Sequence, residues 1–238
     1  MRCHVSTLCP QDGCEAKSLV FAFPSRFEYD CRVENSEDLR SALLIVDVQR
    51  DFCEGGALAV PDGDRVVPVL NRCLDDALRG GLAIYASRDW HPAVSDHFKA
   101  SGGDWPPHCV QRSEGALFHP DLRLPASTIV ITKGDDPHQH GYSAFEGHTS
   151  DGRSLADDLR QRRIERLYVG GLATDYCVRT SVVDARRAGF QVAVLQDAVA
   201  GIDVRAGDSN RALTEMQNAG AALTTSGDFH RLFRITRM

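Results

Sequence analysis

Apolar residues fall along this chain in two rhythms. Residues 41–48 (SALLIVDV) form a short continuous apolar run closed by an acid, Asp47, the pattern of a strand buried on both faces. Residues 82–87 (LAIYAS), 128–132, 166–169 and 191–195 repeat it, and a short last strand falls at 221–225. Between these runs the apolar positions recur at helical spacing. The stretch VVPVLNRCLDDALR predicts a helix to about Arg79, capped by Asp64, with Pro68 tolerated near the first turn and Gly80 and Gly81 as its stop. Further helices fall at 153–163, 176–188 and 209–219.

Strands alternating with helices at this rhythm imply βαβ units. The predicted fold is a three-layer α/β/α sandwich around a Rossmann-like, mostly parallel, six-stranded sheet. In such open sheets ligands bind beyond the carboxyl ends of the strands. Asp47, Asp89, Lys133 and the turn beginning at Gly170 all fall at that edge.

The first forty residues break the rhythm. They hold Cys3, Cys9, Cys14 and Cys31 without clear periodicity, and Cys3, His4, Cys9 and Cys14 match no zinc spacing. We expect a poorly ordered N-terminal extension over residues 1–40 and one domain over 41–238. A net charge of −6, with no run of lysines or arginines, argues against nucleic acid or an anionic membrane and for a small-molecule partner. The apolar run at 19–23 is too short for a signal core or a membrane span, and eight cysteines without a C-x-x-C pair suit a reducing compartment. A cytoplasmic location is the expectation.

Candidate chemistry concentrates in residues 88–109, RDWHPAVSDHFKASGGDWPPHC. Asp89, His91, His97 and His108 supply one carboxylate and three imidazoles, a donor set for one divalent ion such as Zn, Fe or Mn. Pro92, Pro106 and Pro107 stiffen the backbone around them, and about forty residues without a long helix is the length of a functional loop. A second candidate is Cys177 in GGLATDYCV, placed in the first turn of a helix, where amides and dipole favour an ionised thiol. Asp47 and Lys133 end two other strands at the same edge and offer it a base and a cation.

The segments IVDVQRDFCEGGALAV, SRDWHP, WPPHCV, FHP, YSAFEG and GLATDYCV, with a strand ending in Lys133, resemble the isochorismatase-like cysteine hydrolase superfamily, in particular its nicotinamidase branch. The resemblance implies the isochorismatase-like hydrolase fold and hydrolysis of nicotinamide to nicotinate and ammonia within NAD salvage, with pyrazinamide as a further substrate. It makes Asp47 the proton acceptor from Cys177, Lys133 the residue that orients the pair, and the backbone N–H groups of Ala173 and Cys177 an oxyanion hole. It also implies a cis peptide between Leu172 and Ala173, a metal that positions the pyridine ring, and aromatic walls from Phe52 and Trp105 with Tyr142 nearby. Phe52 fits the core equally well. Outside that branch stand a sister cysteine hydrolase acting on an N-carbamoyl or other amide, and a non-catalytic metal- or ligand-binding protein; an oligomer is compatible with all three.

Two features depart from the family pattern. Arg50 stands where asparagine is common, and the segment GDDPHQHG at 134–141 is slightly longer and brings His138 and His140. Both histidines are expected in solvent, away from the metal.

Overall fold

The computed structural model describes residues 40–234, so the expectations for residues 1–39 lie outside it. Six strands, β1 (Ser41–Val46), β2 (Ala83–Asp89), β3 (Ile129–Lys133), β4 (Arg166–Leu172), β5 (Gln191–Ala200) and β6 (Ala222–Thr224), form one sheet in the order β3-β2-β1-β4-β5-β6. Every pairing in it is parallel. The chain first winds outward from β1 to β3, then returns to β4 and winds the other way. The two halves meet between β1 and β4, the switch point where a crevice opens at the carboxyl ends.

Alternation along β1 explains the three layers. Leu43 and Ile45 enter an apolar core shared with Leu70, Leu74 and Phe229, while Ala42, Leu44 and Val46 enter a second one with Leu155, Val182 and Met216. The first core lies under α1 (Val66–Gly80) and α5 (Ser226–Arg234); the second lies under α2 (Leu155–Gln161), α3 (Arg179–Arg187) and α4 (Asp208–Asn218).

Register then sets the crevice. Asp89 pairs with Lys133 across β2 and β3, and Val46 pairs with Gly171 across β1 and β4. Partners in a parallel ladder project to the same face, so the acid and the base start as neighbours. Gly171 has φ +126°, and an added Cβ there would lie 2.1 Å from the Val46 carbonyl oxygen, so only glycine lets β4 approach β1 at the crevice.

Three local expectations need correction. Asp64 does not cap α1: the residue before the helix is Arg65, without a side-chain cap bond. Asp64 instead accepts from the Glu54 N–H at 2.7 Å and lies 3.1 Å from His119 Nε2, which fastens two loops to each other. The segment predicted as one helix over 176–188 is a π-helical turn, Thr174–Val178, followed by α3. Finally, α5 has no clear signal in the sequence, because SGDFHRLFR is short, mostly polar and carries a glycine in its first turn. It is held by packing: Phe229 is fully buried, 4.7 Å from both Tyr168 and Phe233 between ring centroids.

Tertiary contact rather than propensity therefore holds α5, so Phe229→Ala is expected to cost about 3–5 kcal/mol. Urea unfolding of the variant checks this; a loss under about 1 kcal/mol would show that α5 is dispensable to the core.

Candidate active site

Four strand ends meet in the crevice. Asp47 follows β1, Asp89 ends β2, Lys133 ends β3, and Cys177 lies in the π turn after β4. Lys133 is the centre of the group. Its Nζ lies 2.8 Å from Asp47 Oδ2, pairs with Asp89 Oδ1, donates to the Gly141 carbonyl at 2.7 Å and lies 3.6 Å from Cys177 Sγ. Ser87 Oγ donates to Asp47 Oδ1 at 2.7 Å, and Asp47 itself has φ +49°.

All four side chains are buried, and burial decides their protonation. Desolvation, opposed by Lys133 and reinforced by Asp89, raises the Asp47 carboxyl to about 6. Burial also works against charge on Asp89 and Lys133, but for Lys133 the attraction of Asp47 and then Asp89 outweighs it, and for Asp89 the attraction of Lys133 followed by the His91 contact does. Asp89 stays below the usual carboxylate range, and Lys133 stays well above the usual lysine range. The Cys177 thiol is pushed well up, first by desolvation and then by Asp47 and Asp89, against the pull of Lys133. This direction runs against the expectation of a readily ionised thiol, because burial between two carboxylates favours the protonated form.

Beside this group the nitrogens of His91, His97 and His108 converge within 4.8 Å of one another. The His91 and His97 rings stack at 4.5 Å, and His108 lies 5.2 Å from His91 and 5.3 Å from His97. Burial, then the neighbouring imidazoles, pushes His97 down to about 3, and burial lowers His108 as well. Neutral imidazoles are the metal-binding form. Both ring nitrogens of His91 are buried without a hydrogen-bond partner, an expensive state that a bound cation relieves.

Asp89 joins the two groups. One of its oxygens pairs with Lys133 while Oδ2 lies 3.8 Å from His91 Nε2. Charge balance points the same way, since two buried carboxylates against one ammonium leave one negative charge uncompensated. The donor set fits a divalent metal. A further group of possible ligands, Cys53, Asp64 and His119, lies apart from the crevice, where the His119–Asp64 contact already satisfies two of its members.

Aromatic residues close one side. Trp105 Nε1 donates to Tyr142 Oη at 2.9 Å, and the Tyr176 ring lies 4.9 Å from Trp105 and 6.1 Å from Tyr142. The three line a groove of about 890 Å³, with Lys99, Asp104 and Arg179 among its charged walls. Phe52 is buried in the first core, and its ring lies 5.4 Å from His108. The peptide between Leu172 and Ala173 is cis, and the Ala173 carbonyl accepts from the N–H groups of Tyr176 and Val178, each at 3.1 Å.

Sequence reasoning missed several contributors. Gln49 is fully buried and grips the end of β2: its Nε2 donates to the Asp89 carbonyl and its Oε1 accepts from the Asp89 N–H, both at 2.8 Å. Its place two residues after Asp47 was the available signal. Phe98, 5.5 Å from His91 and 5.7 Å from His108, and Tyr176, next to Cys177, carried none.

Arg50 lies at the surface, 2.7 Å from Glu114. His138 is exposed as expected and pairs with Asp96 at 2.9 Å. His140 is exposed as well, but it is not remote from the cluster: its Nδ1 lies 3.3 Å from Nδ1 of His97. Gly134 begins the same loop at φ +67°, and an added Cβ would lie 2.5 Å from His91 Cε1.

The three-layer architecture and the buried Asp–Lys–Cys cluster beside three histidines define a class of α/β/α proteins with a reactive crevice at the switch point. The chain belongs to the isochorismatase family, whose isochorismatase domain matches residues 41–228. It is similar to the nicotinamidase of Escherichia coli, 45% identical over 204 residues that span 79% of this chain and 96% of that protein. It is also similar to the nicotinamidase/pyrazinamidase of Mycobacterium tuberculosis, 41% identical over 188 residues, 78% of this chain and 98% of that one. Among solved structures, the pyrazinamidase of Pyrococcus horikoshii in complex with zinc superposes with a TM-score of 0.72 at 43% identity, over 78% of this chain and 99% of that one.

Gly134→Ala is expected to push His91 off its position and to lower divalent-metal affinity about 10–100-fold, read by competition with a chromophoric chelator. Unchanged affinity would mean that His91 is not held by this contact.

Proposed function

We propose that this protein is a nicotinamidase, hydrolysing nicotinamide to nicotinate and ammonia, with pyrazinamide as a second substrate. The observation that carries the reading is Lys133 Nζ, which spans Asp47, Asp89 and Cys177 Sγ beside a buried three-histidine cluster. Similarity to proteins named nicotinamidase over nearly their whole length supports it. We assign the activity to residues 41–238.

In this mechanism Asp47 takes the Sγ proton as sulfur attacks the carboxamide carbon. A carboxyl group near 6 is ionised at neutral pH and still basic enough for the task. Because the resting thiol is protonated, transfer and attack proceed together, and Lys133 at 3.6 Å stabilises the developing thiolate. Backbone N–H groups of Ala173 and Cys177 donate to the oxyanion. Collapse breaks the C–N bond, Asp47 returns the proton to the leaving nitrogen, and ammonia departs. Water then attacks the thioester carbon with Asp47 as base, giving the carboxylate and the free thiol.

His91, His97, His108 and Asp89 would hold one divalent ion, Zn, Fe or Mn, which when bound would supply Lewis-acid chemistry to a heterocyclic nitrogen of the substrate. Trp105, Tyr142, Tyr176 and the edge of Phe52 supply flat apolar contact for that ring. The role in the cell is salvage of nicotinamide for NAD in the cytoplasm, and none of the described helices is long and apolar enough to cross a membrane.

Ammonia release from nicotinamide tests the reading. Cys177→Ala is expected to lower the rate about 10³-fold or more, and removal of metal by a chelator to raise KM. Turnover of an N-carbamoyl amide with none of nicotinamide would overturn the substrate assignment. The acid limb is set by Asp47, whose raised carboxyl loses its charge as pH falls through about 6, so kcat/KM is expected to drop about tenfold per unit below that point. A limb near 4 would show that burial does not raise the Asp47 carboxyl, and an acid limb unchanged in position and slope in Asp47→Asn would exclude Asp47 as the base.

A further inference from the structure

The loop at 134–141 carries a histidine that the amidase reading leaves unused. His140 is exposed, yet its ring meets two residues of the site. Its Nδ1 lies 3.3 Å from Nδ1 of His97, and its plane stacks on Tyr142 at 5.9 Å and 24°.

Tautomers give this contact its meaning. A neutral imidazole has one N–H and one bare nitrogen, and a metal takes the bare one. His108 shows the arrangement: its Nδ1 faces the Pro106 carbonyl at 2.8 Å, a group that can only accept, so Nδ1 holds the hydrogen and Nε2 is bare. His97 Nδ1 likewise has a partner on the side away from the cluster, the Nδ1 of His140, a ring nitrogen able to accept.

The loop is built to deliver this contact. The Asp96 N–H donates to the Pro137 carbonyl at 2.8 Å, and His138 pairs with Asp96, so the loop is stitched to the residue directly before His97. Its near end rests on His91 through Gly134, and at its far end the Gly141 carbonyl accepts from Lys133. Loop and metal-binding residues therefore hold one arrangement.

We propose that His140 is a positioning residue for the metal centre: it accepts the Nδ1–H of His97, fixing that ring's tautomer and orientation so that Nε2 faces the ion, as the Pro106 carbonyl does for His108. This inference rests on the reading that the three histidines bind a metal, and it does not depend on which amide is hydrolysed.

The test is metal affinity, measured on chelator-stripped protein titrated with Zn²⁺ and with Mn²⁺ against a chromophoric competitor. His140→Ala is expected to bind about 10–100-fold more weakly than wild type. His140→Asn, which offers a carbonyl acceptor, is expected to recover most of that loss. His140→Phe keeps a ring over Tyr142 without an acceptor and is expected to bind like His140→Ala. Wild-type affinity in His140→Ala or His140→Phe would overturn the proposal. A wild-type protein that binds neither ion would overturn it together with the metal reading. Intact metal binding without ammonia release would tell against the amidase reading alone, leaving these affinities to decide the role of His140.

Discussion

The buried ammonium of Lys133 holds the crevice together. A lysine removed from water is tolerable only where carboxylates surround it, and this one has Asp47 on one side and Asp89 on the other. Each carboxylate in turn depends on the lysine, since removing one partner from a buried pair leaves an uncompensated charge that costs about 3–5 kcal/mol. The three residues end three adjacent strands, so the ion pairs also lock the carboxyl edge of β1, β2 and β3. The site is part of the fold's own stability.

From this triad the two halves of the chemistry divide. Asp47, with its oxygens shared between Lys133 and Ser87, faces the thiol side as a carboxylate weak enough in acidity to act as a base. Asp89 is held far more acidic and turns its other oxygen toward His91. In the proposed mechanism these two carboxylates take different tasks, because at Asp47 desolvation outweighs the pull of Lys133, whereas at Asp89 Lys133 and the His91 contact outweigh desolvation. Burial lowers His97 and His108 for the same reason that it weakens Asp47: it penalises charge wherever no partner compensates it.

Support for these groups comes from loops at some distance. Gln49 pins the end of β2 through its backbone, Gly134 leaves room for the His91 ring, and Phe98 fills the space behind His91 and His108. None of them carries the reaction, but a site that must hold its groups to fractions of an ångström needs them. The groove walled by Trp105, Tyr142 and Tyr176 opens beside this rigid centre, so ring contact and polar chemistry are contributed by different layers of the site.

The sequence by itself determined whatever depends on near neighbours in the chain. Strand runs ending in Asp47 and Lys133, the clustered ligands from Asp89 to His108, and the alternation that makes a six-stranded α/β sheet are local patterns, legible because hydrophobic period and ligand spacing are local. Tertiary structure decided what depends on residues far apart. The short polar stretch of α5 becomes a helix only because Phe229 finds Tyr168, and Asp64 gives up a helix cap for His119. The Cys177 thiol is pushed up because desolvation and two carboxylates distant in the chain outweigh Lys133, and His140 meets His97 because a loop 43 residues away folds back over the site. The reason is the same in each case: burial and long-range charge set these outcomes, and neither exists until the chain has folded.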